Sequence, residues 1–557
     1  MKPTISYKRI LCSLALGIST AFILFYVFLP AINFQSRGFW FYLTAVIFAF
    51  SIPFYGIGVE KQEEVYQSVL GSFSKKRKRV TAKKNKLTVI LITATILPIV
   101  IVILGSIFSS TVFFATSYAE VITVNDSVFK EDLPETKEIT NIALMDSTSA
   151  TKLGNKTLGS LSDVVSQYDV SSTYMQINYK GSPKKVANLE YVDFFKWMGN
   201  NSNGVPGMVM VDPVKSSAEY ISLEKPMVYV DSAYFNQDLE RKLRFSYPTK
   251  IFDSISFEID DNGNPFYIVS CARPQVSLFG AVDVEEVIVF NPCDGSHVLY
   301  SVEDAPSWID IVFTGDLATE KYNWYGTLSG GFFNSIVGNK GCKRTTNDFG
   351  YIALEDDVWY FTGVTSVTGD QSNIGFILSN ARTGEYKFYP VIGADEHSAM
   401  AAAAGEVQEK GYVASFPSLV NISGQPTYIM VLKDAAGLVK LYALVNVENY
   451  SLVATGATQP EAMSAYKKLL TQNDISISET DENKTITVEN VRIAMVADVS
   501  TVYITAENGE VFKGYLEADE SLILIRQGDS LDVNYTDSDV SGIYVITSWE
   551  FLKEESE

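Results

Sequence analysis

The chain has 557 residues, 47% of them hydrophobic and 20% charged, so it can build several cores and is too apolar to be disordered. Its net charge of −21 is unevenly divided: residues 1–116 carry 13 Lys or Arg against three Glu, whereas the remaining 441 residues carry 31 basic and 62 acidic side chains. This acidic excess excludes nucleic acid as a partner of the larger part. Four cysteines and two histidines are too few for most metal or thiol chemistry, and we predict no cofactor.

Three apolar runs, at residues 10–32, 39–59 and 87–114, are each long enough to cross a hydrocarbon core of about 30 Å as a helix. The first run could instead be a cleavable secretory signal, because basic residues precede it. Its 23 residues exceed the usual signal core of about 7–15, however, and no small-residue cleavage site follows. The sequence therefore predicts three transmembrane helices within residues 1–116.

The connection between the second and third spans is strongly basic. By the positive-inside rule this loop, residues 60–86, stays cytoplasmic together with the N-terminus, and everything after about residue 115 is extracytoplasmic. We therefore predict a multi-pass protein of the cell membrane, with the lipid bilayer as a partner. A second interpretation of the same cluster, a binding site for anionic lipid or RNA, stays open. The predicted topology determinants are Lys75, Lys76, Arg77, Lys78, Arg79, Lys83, Lys84 and Lys86.

The outer part begins with a polar segment at residues 117–138, which we interpret as a stalk. Residues 139–205 alternate strand and helix patterns and predict a small α+β unit. Within this unit, residues 146–149 (Asp-Ser-Thr-Ser) could be a reactive hydroxyl cluster, but such residues before an apolar run more often cap a helix.

An internal repeat follows, at residues 206–310 and 371–458. The first copy contains Asn262-Gly263-Asn264-Pro265-Phe266-Tyr267-Ile268, and the second contains Ser423-Gly424-Gln425-Pro426-Thr427-Tyr428-Ile429, 161 residues further on. Gly, Pro, Tyr and Ile coincide, and a helical pattern precedes each motif. We expect each copy to form a strand, a turn, a strand, a helix and a three-strand meander.

The helix, the Gly-x-Pro turn between two strands and the turn at Asn291-Pro292-Cys293-Asp294-Gly295 resemble the PepSY domain. Leu239, Leu243 and Tyr247-Pro248 also belong to this resemblance, which is weaker in the second copy. It implies an extracytoplasmic, non-catalytic module that binds or restrains peptidases or other envelope proteins, and it implies no catalytic residues. The order of spans and acidic outer repeats is also similar to bacterial membrane proteins grouped loosely with colicin V production proteins.

Residues 311–370 form an aromatic segment that connects the two copies. An aromatic stretch of this density could lie on a membrane surface or on a partner. Such a stretch is more often a helix packed into a core. The candidate partner-binding residues in it are Trp324, Tyr325, Phe332 and Phe333.

Thr458, Pro460 and Glu461 mark a helix start, and an acidic linker follows, so residues 459–483 connect the second copy to a last unit. Residues 484–552 hold six short β runs and predict a small β-barrel of OB-like type. The predicted fold class is therefore α+β: transmembrane helices at the N-terminus, duplicated PepSY-like units with a helix on an antiparallel sheet, and a small β-barrel at the C-terminus.

Residues 260–264 (Asp-Asp-Asn-Gly-Asn) begin like a calcium loop, but Pro265 and Cys271 stand where such a loop requires Gly and Glu. A hairpin turn explains these residues better. The outer part contains three cysteines, Cys271, Cys293 and Cys342. This odd number favours free thiols over a disulfide.

Paired carboxylates at residues 355–357 and 395–396, with His397 beside the second pair, are the residue types that acid/base chemistry needs. No nucleophile elbow accompanies them, and acidic residues are abundant in this part of the chain, so solvated turns and helix caps explain them better.

The main functional prediction is a non-catalytic, membrane-anchored extracytoplasmic protein of the bacterial cell envelope that binds, restrains or assembles envelope proteins or peptides. Two alternatives stay open. One is an envelope hydrolase or protease that uses the acidic residues, and the other is an accessory subunit of a transport or secretion complex.

Overall fold

The computed structural model describes residues 7–54, 86–136, 144–346, 348–354, 357–367, 372–473, 482–496, 499–537 and 542–552. Within these residues the chain is a mixed α+β protein with three apolar helices near the N-terminus and five sheets, one of them closed into a barrel. The predicted topology determinants at residues 75–84 lie outside the described residues, as do Glu355 and Asp356. Lys86 is described and begins the third apolar helix.

Three helices are long and apolar enough to cross a membrane. They are α1 (Tyr7–Phe28), α2 (Arg37–Ser51, continued by a 3-10 turn, Ile52–Phe54) and α3 (Lys86–Phe108). The third apolar run, predicted as one helix to residue 114, divides at Ser109 and Ser110. Ser110 takes an extended conformation and is the N-cap residue of a second helix, α4 (Thr111–Ala119).

The segment predicted as a stalk is part of the folded structure. After α4 it forms β1 (Val124–Asp126) and α5 (Phe129–Asp132). β1 pairs in parallel with a strand at residues 386–389, and the side chains of Phe129 and Leu133 are buried. These apolar side chains leave water only by packing on a neighbouring sheet, so the segment does not stand free.

Two consecutive sandwiches of mainly antiparallel sheets form the centre of the outer part, and we call them repeat 1 (residues 144–305) and repeat 2 (residues 309–456). In repeat 1 the strand orders are β2-β4-β5-β6, with β3 also on β4, and β7-β8-β9-β10. Its elements are α6 (Ser147–Gly159), α7 (Ser162–Val165), β2 (Tyr168–Val170), β3 (Met175–Tyr179), β4 (Ser182–Tyr191), α8 (Phe194–Asn200), β5 (Val205–Asp212), β6 (Ser217–Met227), α9 (Leu239–Ser246), β7 (Ile251–Ile259), β8 (Pro265–Val276), β9 (Gly280–Phe290) and β10 (His297–Ser301).

Repeat 2 has the same plan. Its first sheet is ordered β1-β15-β14-β13-β11, with β12 on β13 and β16 on β14, and its second is ordered β17-β19-β20-β21, with β18 on β19. The elements are α10 (Gly315–Leu328), β11 (Lys343–Thr345), β12 (Gly350–Leu354), β13 (Asp357–Ser366), β14 (Ser372–Asn380), β15 (Tyr386–Tyr389), β16 (Gly393–Ala394), α11 (Glu396–Glu406), β17 (Val413–Ala414), β18 (Ser418–Ile422), β19 (Gln425–Lys433), β20 (Val439–Asn446) and β21 (Val453–Gly456).

Strand register shows that the two repeats correspond residue by residue. Met175 pairs with Val186 in repeat 1, and Gly350 pairs with Phe361 in repeat 2, so both partners are displaced by the same 175 positions. The repeat therefore begins earlier than the sequence motifs indicate. The small unit predicted at residues 139–205 supplies the first part of repeat 1, and the aromatic segment predicted as a connection supplies α10 and β11 to β13.

Each repeat buries its core between its two sheets and one helix. In repeat 1, Val209 of the first sheet and Tyr267 of the second share a core with Leu243 of α9. In repeat 2, Phe376 and Tyr428 share the corresponding core with Ala403 of α11.

The buried side chain of Glu258 in repeat 1 binds the backbone at the start of repeat 2. Glu258 of β7 is fully buried and accepts hydrogen bonds from the backbone N–H groups of Asp310 and Ile311, at 2.8 and 3.0 Å. The Asp310 carboxylate accepts the Asn178 N–H of β3 at 2.8 Å. Burial and the neighbouring Asp310 charge raise the pKa of Glu258. The first residues of repeat 2 are thereby fixed to both sheets of repeat 1.

A helix and a barrel complete the chain. α12 (Gln459–Gln472) begins at Thr458, whose hydroxyl accepts the Glu461 N–H, as the sequence predicts, and it packs on the second sheet of repeat 2. The barrel closes in the order β22-β23-β24-β26-β25. One predicted β run, at residues 522–525, overlaps a 3-10 turn (Glu520–Leu524) instead. The strands are β22 (Glu482–Val496), β23 (Val499–Ala506), β24 (Val511–Tyr515), β25 (Ser530–Asp537) and β26 (Ile543–Phe551).

Candidate functional site at the membrane junction

The tip of the β8–β9 hairpin contacts the end of the third apolar helix. The Ser109 hydroxyl accepts hydrogen bonds from the backbone N–H groups of Leu278 and Phe279, both at 3.1 Å. Gly105, one turn earlier, leaves room for the Phe279 ring, since a β-carbon there would lie 2.6 Å from it. Phe279 is consequently buried, although it lies at the tip of a hairpin.

The connection between α1 and α2 contacts the same repeat. The Ile32 N–H donates to the Pro248 carbonyl at 2.7 Å, and the Asn33 side chain donates to the Thr249 carbonyl at 3.0 Å. Arg37, the first residue of α2, places its guanidinium 5.6 Å from the centre of the Phe279 ring. The hairpin tip therefore touches both α2 and α3.

The end of α1 packs on α9. The Arg241 guanidinium lies 4.4 Å from the centre of the Tyr26 ring, and its Nε donates to the Tyr26 carbonyl at 3.3 Å. Phe25 and Phe245 meet edge to face at 5.2 Å. We call this whole set of contacts the membrane junction. It joins Tyr26, Ile32, Asn33, Arg37, Gly105 and Ser109 of the helices and their connection to Arg241, Phe245, Pro248, Thr249, Leu278 and Phe279 of repeat 1.

The four predicted partner-binding aromatic residues divide between core and surface. Trp324 packs edge to face on Tyr118 of α4 at 5.2 Å, and Tyr325 and Phe332 are partly buried in neighbouring clusters. Phe333, by contrast, is 82% exposed. The core interpretation thus fits Trp324 and Tyr325 of α10, and the surface interpretation fits only Phe333, which lies after that helix.

An acidic recess lies next to the junction. Two adjoining cavities of about 350 and 400 Å³ share Asp231 and Asp238, and the second is bordered by Tyr26 and Arg241 of the junction. Desolvation, with the charges of Glu190, Glu240 and Asp238, raises the pKa of Asp231 to about 6. The recess is open to solvent and can attract a cationic group without any change in the fold.

The carboxylates that could carry catalysis have structural partners. Asp395 caps α11 by accepting the Ser398 N–H at 2.7 Å, and Asp357 binds the Arg382 guanidinium through both oxygens, at 2.7 and 2.8 Å. His397 Nε2 lies 3.8 Å from an Asp348 oxygen on the surface. Helix capping therefore accounts for Asp395, and the ion pair with Arg382 accounts for Asp357.

Glu396 differs from its neighbours because it is completely buried. One of its oxygens accepts the N–H of Gly363 in β13, at the point where β13 pairs with neither β11 nor β12. Burial raises the pKa of its carboxyl group, although hydrogen bonds to Gly363 and Thr346 oppose the shift. The corresponding N1 position of α9 is the buried apolar residue Leu239.

The turn at residues 260–264 and the cysteines are also placed by the structure. Asp260 accepts the N–H groups of Asn262 and Asn264, at 2.9 and 2.8 Å, and so closes the β7–β8 turn. Cys271 pairs across the ladder with Glu286 and not with Cys293, and the cysteines in the described residues are all free thiols. Those residues also contain no group of three or more His, Cys, Asp or Glu placed to hold a metal ion.

Sequence reasoning missed the junction because its contacting residues are 169 to 242 positions apart in the chain. One local signal was present. Leu278 and Phe279 are adjacent apolar residues at the tip of a hairpin, where polar turn residues are usual. An apolar tip in an acidic domain indicates that something covers it.

Neither a scan against protein-family models nor a search of curated proteins finds a match to this chain. The resemblance to PepSY domains therefore remains a prediction from short motifs such as Tyr247-Pro248. The function has to be inferred from the geometry of the membrane junction and of the two repeats.

Proposed function

We propose that this protein is a non-catalytic, membrane-anchored scaffold of the bacterial cell envelope, whose repeats and barrel face the extracytoplasmic side and bind an envelope protein or peptide. The PepSY-like character of the repeats and the OB-like character of the barrel belong to this proposal. So does the assignment of the lysine-rich loop to the cytoplasm.

The membrane junction is the observation that carries the proposal. Repeat 1 contacts the C-terminal end of α1, the N-terminal end of α2 and the C-terminal end of α3. These three ends lie on one side of a bilayer if each helix crosses it once. The basic connection at residues 60–86 joins the opposite ends, and the positive-inside rule keeps such a connection in the cytoplasm. The repeats then lie outside.

The chemistry of the partner follows from charge. The part of the chain after residue 116 carries 62 acidic and 31 basic side chains, and the acidic recess opens beside Tyr26 at the membrane junction. A cationic segment of an envelope protein would be attracted there. The structural roles of Asp357 and Asp395 favour a scaffold over a hydrolase.

Cysteine labelling in protoplasts tests the orientation. In a chain without its native cysteines, we expect an impermeant maleimide to label Ile392→Cys in intact protoplasts, and to label Ser74→Cys of the basic loop only after lysis. Ile392 is chosen because it is 74% exposed. The reverse pattern would place the repeats in the cytoplasm and overturn the proposal.

Photo-crosslinking tests the binding role. We expect a photoreactive amino acid at Phe252, which lines the recess, to yield a discrete adduct with an envelope protein or peptide. The matched control is the same probe at Glu409, an exposed residue of repeat 2, which should give no such adduct. Peptide or cell-wall cleavage that is lost in Asp395→Asn or His397→Ala would support the hydrolase instead.

A further inference from the structure

Three large apolar side chains protrude into solvent just after α10. Phe333 is 82% exposed, Ile336 is 60% exposed and Val337 is 81% exposed, and all three belong to one short segment that includes a π-helical turn, Asn334–Gly338. We call residues 332–338 the apolar loop. Exposed apolar side chains scattered singly are ordinary, but three in one loop mark an interaction surface.

The apolar loop is held in this conformation by its own hydrogen bonds. The Asn334 side chain donates to the Lys340 carbonyl at 2.9 Å and accepts the Lys340 N–H at 3.1 Å. The Ser335 hydroxyl donates to the Phe332 carbonyl at 2.8 Å. Because the backbone is fixed in this way, the side chains cannot turn inward without breaking these bonds.

The loop lies at the membrane end of the molecule. Phe332, at its start, packs in the cluster that contains Ala115 of α4 and Val276 of the β8–β9 hairpin, and this cluster adjoins the contact between Ser109 and Phe279. Near the other end, Lys340 and Arg344 are exposed basic residues in a part of the chain that is otherwise acidic. An apolar patch with basic residues beside it is the pattern of a membrane-surface segment.

We propose that the apolar loop inserts Phe333, Ile336 and Val337 into the interface of the bilayer that α1 to α3 cross, with Lys340 and Arg344 against anionic headgroups. The occupant is lipid because the patch is continuous with the membrane junction and because its charge complements anionic lipid. Insertion would give the outer part a second contact with the membrane, on the side of repeat 2. The proposal rests on the membrane anchoring in the proposed function.

Spin labelling of the full chain in nanodiscs of phosphatidylcholine and phosphatidylglycerol tests this. With the four native cysteines replaced, we expect a nitroxide at Val337→Cys to collide more with oxygen and less with an aqueous nickel chelate than the same label at Ile392→Cys. Ile392 is 74% exposed and lies just beyond β15. The control therefore carries the same label on an exposed apolar residue outside the apolar loop.

The collision rates distinguish the outcomes. A label at residue 337 that collides with nickel as freely as the control lies in water. A label that is protected from both oxygen and nickel is covered by a protein, such as a second copy of this chain. Either result overturns the proposal. If helices α1 to α3 did not cross the membrane, the chain would fail to enter nanodiscs. A failure of the proposed membrane anchoring is thereby distinguished from a failure of the apolar loop to insert.

Amide exchange provides a measurement on the unmodified chain if the cysteine-free variant does not fold. We expect the peptide covering residues 329–342 to exchange more slowly in phosphatidylglycerol nanodiscs than in amphipol. Replacing Phe333, Ile336 and Val337 together by serine should abolish that difference and leave exchange in β13 unchanged. Equal exchange in both environments for the unmodified chain would contradict insertion.

Discussion

Repeat 1 and repeat 2 share strand order and register, yet their central hairpins differ in length. Twenty-two residues lie between the paired Tyr267 and Phe290 in repeat 1, whereas 16 lie between the corresponding pair, Tyr428 and Val445, in repeat 2. Three extra residues in each strand extend the first hairpin by about 10 Å. This extension is the part that reaches Ser109 and Arg37.

The shorter hairpin of repeat 2 has a different neighbour. Lys433 binds the Asp146 carboxylate at 2.6 Å, and the Ala436 carbonyl accepts from the Lys152 side chain at 3.2 Å, so this hairpin meets the start of α6 in repeat 1. The length of this hairpin therefore decides what it contacts. The long hairpin of repeat 1 contacts the apolar helices, and the short hairpin of repeat 2 contacts repeat 1.

The largest expected effect comes from removing the apolar tip of the long hairpin. We expect Phe279→Ala to lower the free energy of unfolding by about 3–5 kcal/mol, because a buried ring is lost from the junction. Thermal unfolding in detergent and amide exchange of α4 would both report it. The control is Leu438→Ala in the short hairpin, where the side chain is 59% exposed and the change should stay within about 0.5 kcal/mol.

A smaller effect is expected on the helix side of the same contact. Gly105→Ala places a methyl group 2.6 Å from the Phe279 ring and should cost about 1–3 kcal/mol by overpacking. The same substitution in a Phe279→Ala background should cost less, because only the Leu278 side chain, at 3.1 Å, then lies close to the new methyl group. Gly38→Ala in α2 is the control, since its new β-carbon would meet only the Ser36 hydroxyl at 3.5 Å. Equal costs in both backgrounds would show that the two residues do not touch.

The smallest effect concerns the N1 positions of α9 and α11, where repeat 1 has Leu239 and repeat 2 has Glu396. Because burial raises the pKa of Glu396, the folded chain keeps a proton that the unfolded chain loses as the pH rises above about 4.5, and stability therefore falls through that range. We expect Glu396→Gln to remove this decline, so that its stability advantage over the parent is larger at pH 8 than at pH 4. Thermal unfolding between these pH values measures it, with Glu406→Gln on the exposed side of α11 as control. A parallel decline in both variants would show that Glu396 is not its cause.

Local signals explain what could be predicted from the sequence. Apolar runs identified the three helices, and the Gly-Asn-Pro and Gly-Gln-Pro turns identified the second sheets of both repeats, because a tight turn constrains its own residues. The first part of each first sheet was missed as a repeat, since the paired hairpins at residues 175–191 and 350–366 share register and little sequence.

Contacts between distant residues explain what could not be predicted. The polarity of residues 117–138 predicts a stalk. The structure instead pairs β1, within this segment, with the edge of β15, which lies far along the chain. The aromatic character of residues 322–333 does not reveal which rings are buried. Tyr118, from another helix, covers Trp324, whereas Phe333 is exposed among the residues that the structure describes.

The parallel pairing of β1 with β15 constrains the order of events during synthesis. Val124 leaves the ribosome about 260 residues before its partner Tyr386, which at ordinary elongation rates is a delay of roughly ten to fifty seconds. Throughout this interval repeat 1 can complete its own sheets, while β1 waits unpaired near the emerging third helix. The first sheet of repeat 2 therefore combines an early strand with one made some 260 residues later, and a chain halted before residue 386 would leave β1 without its partner strand.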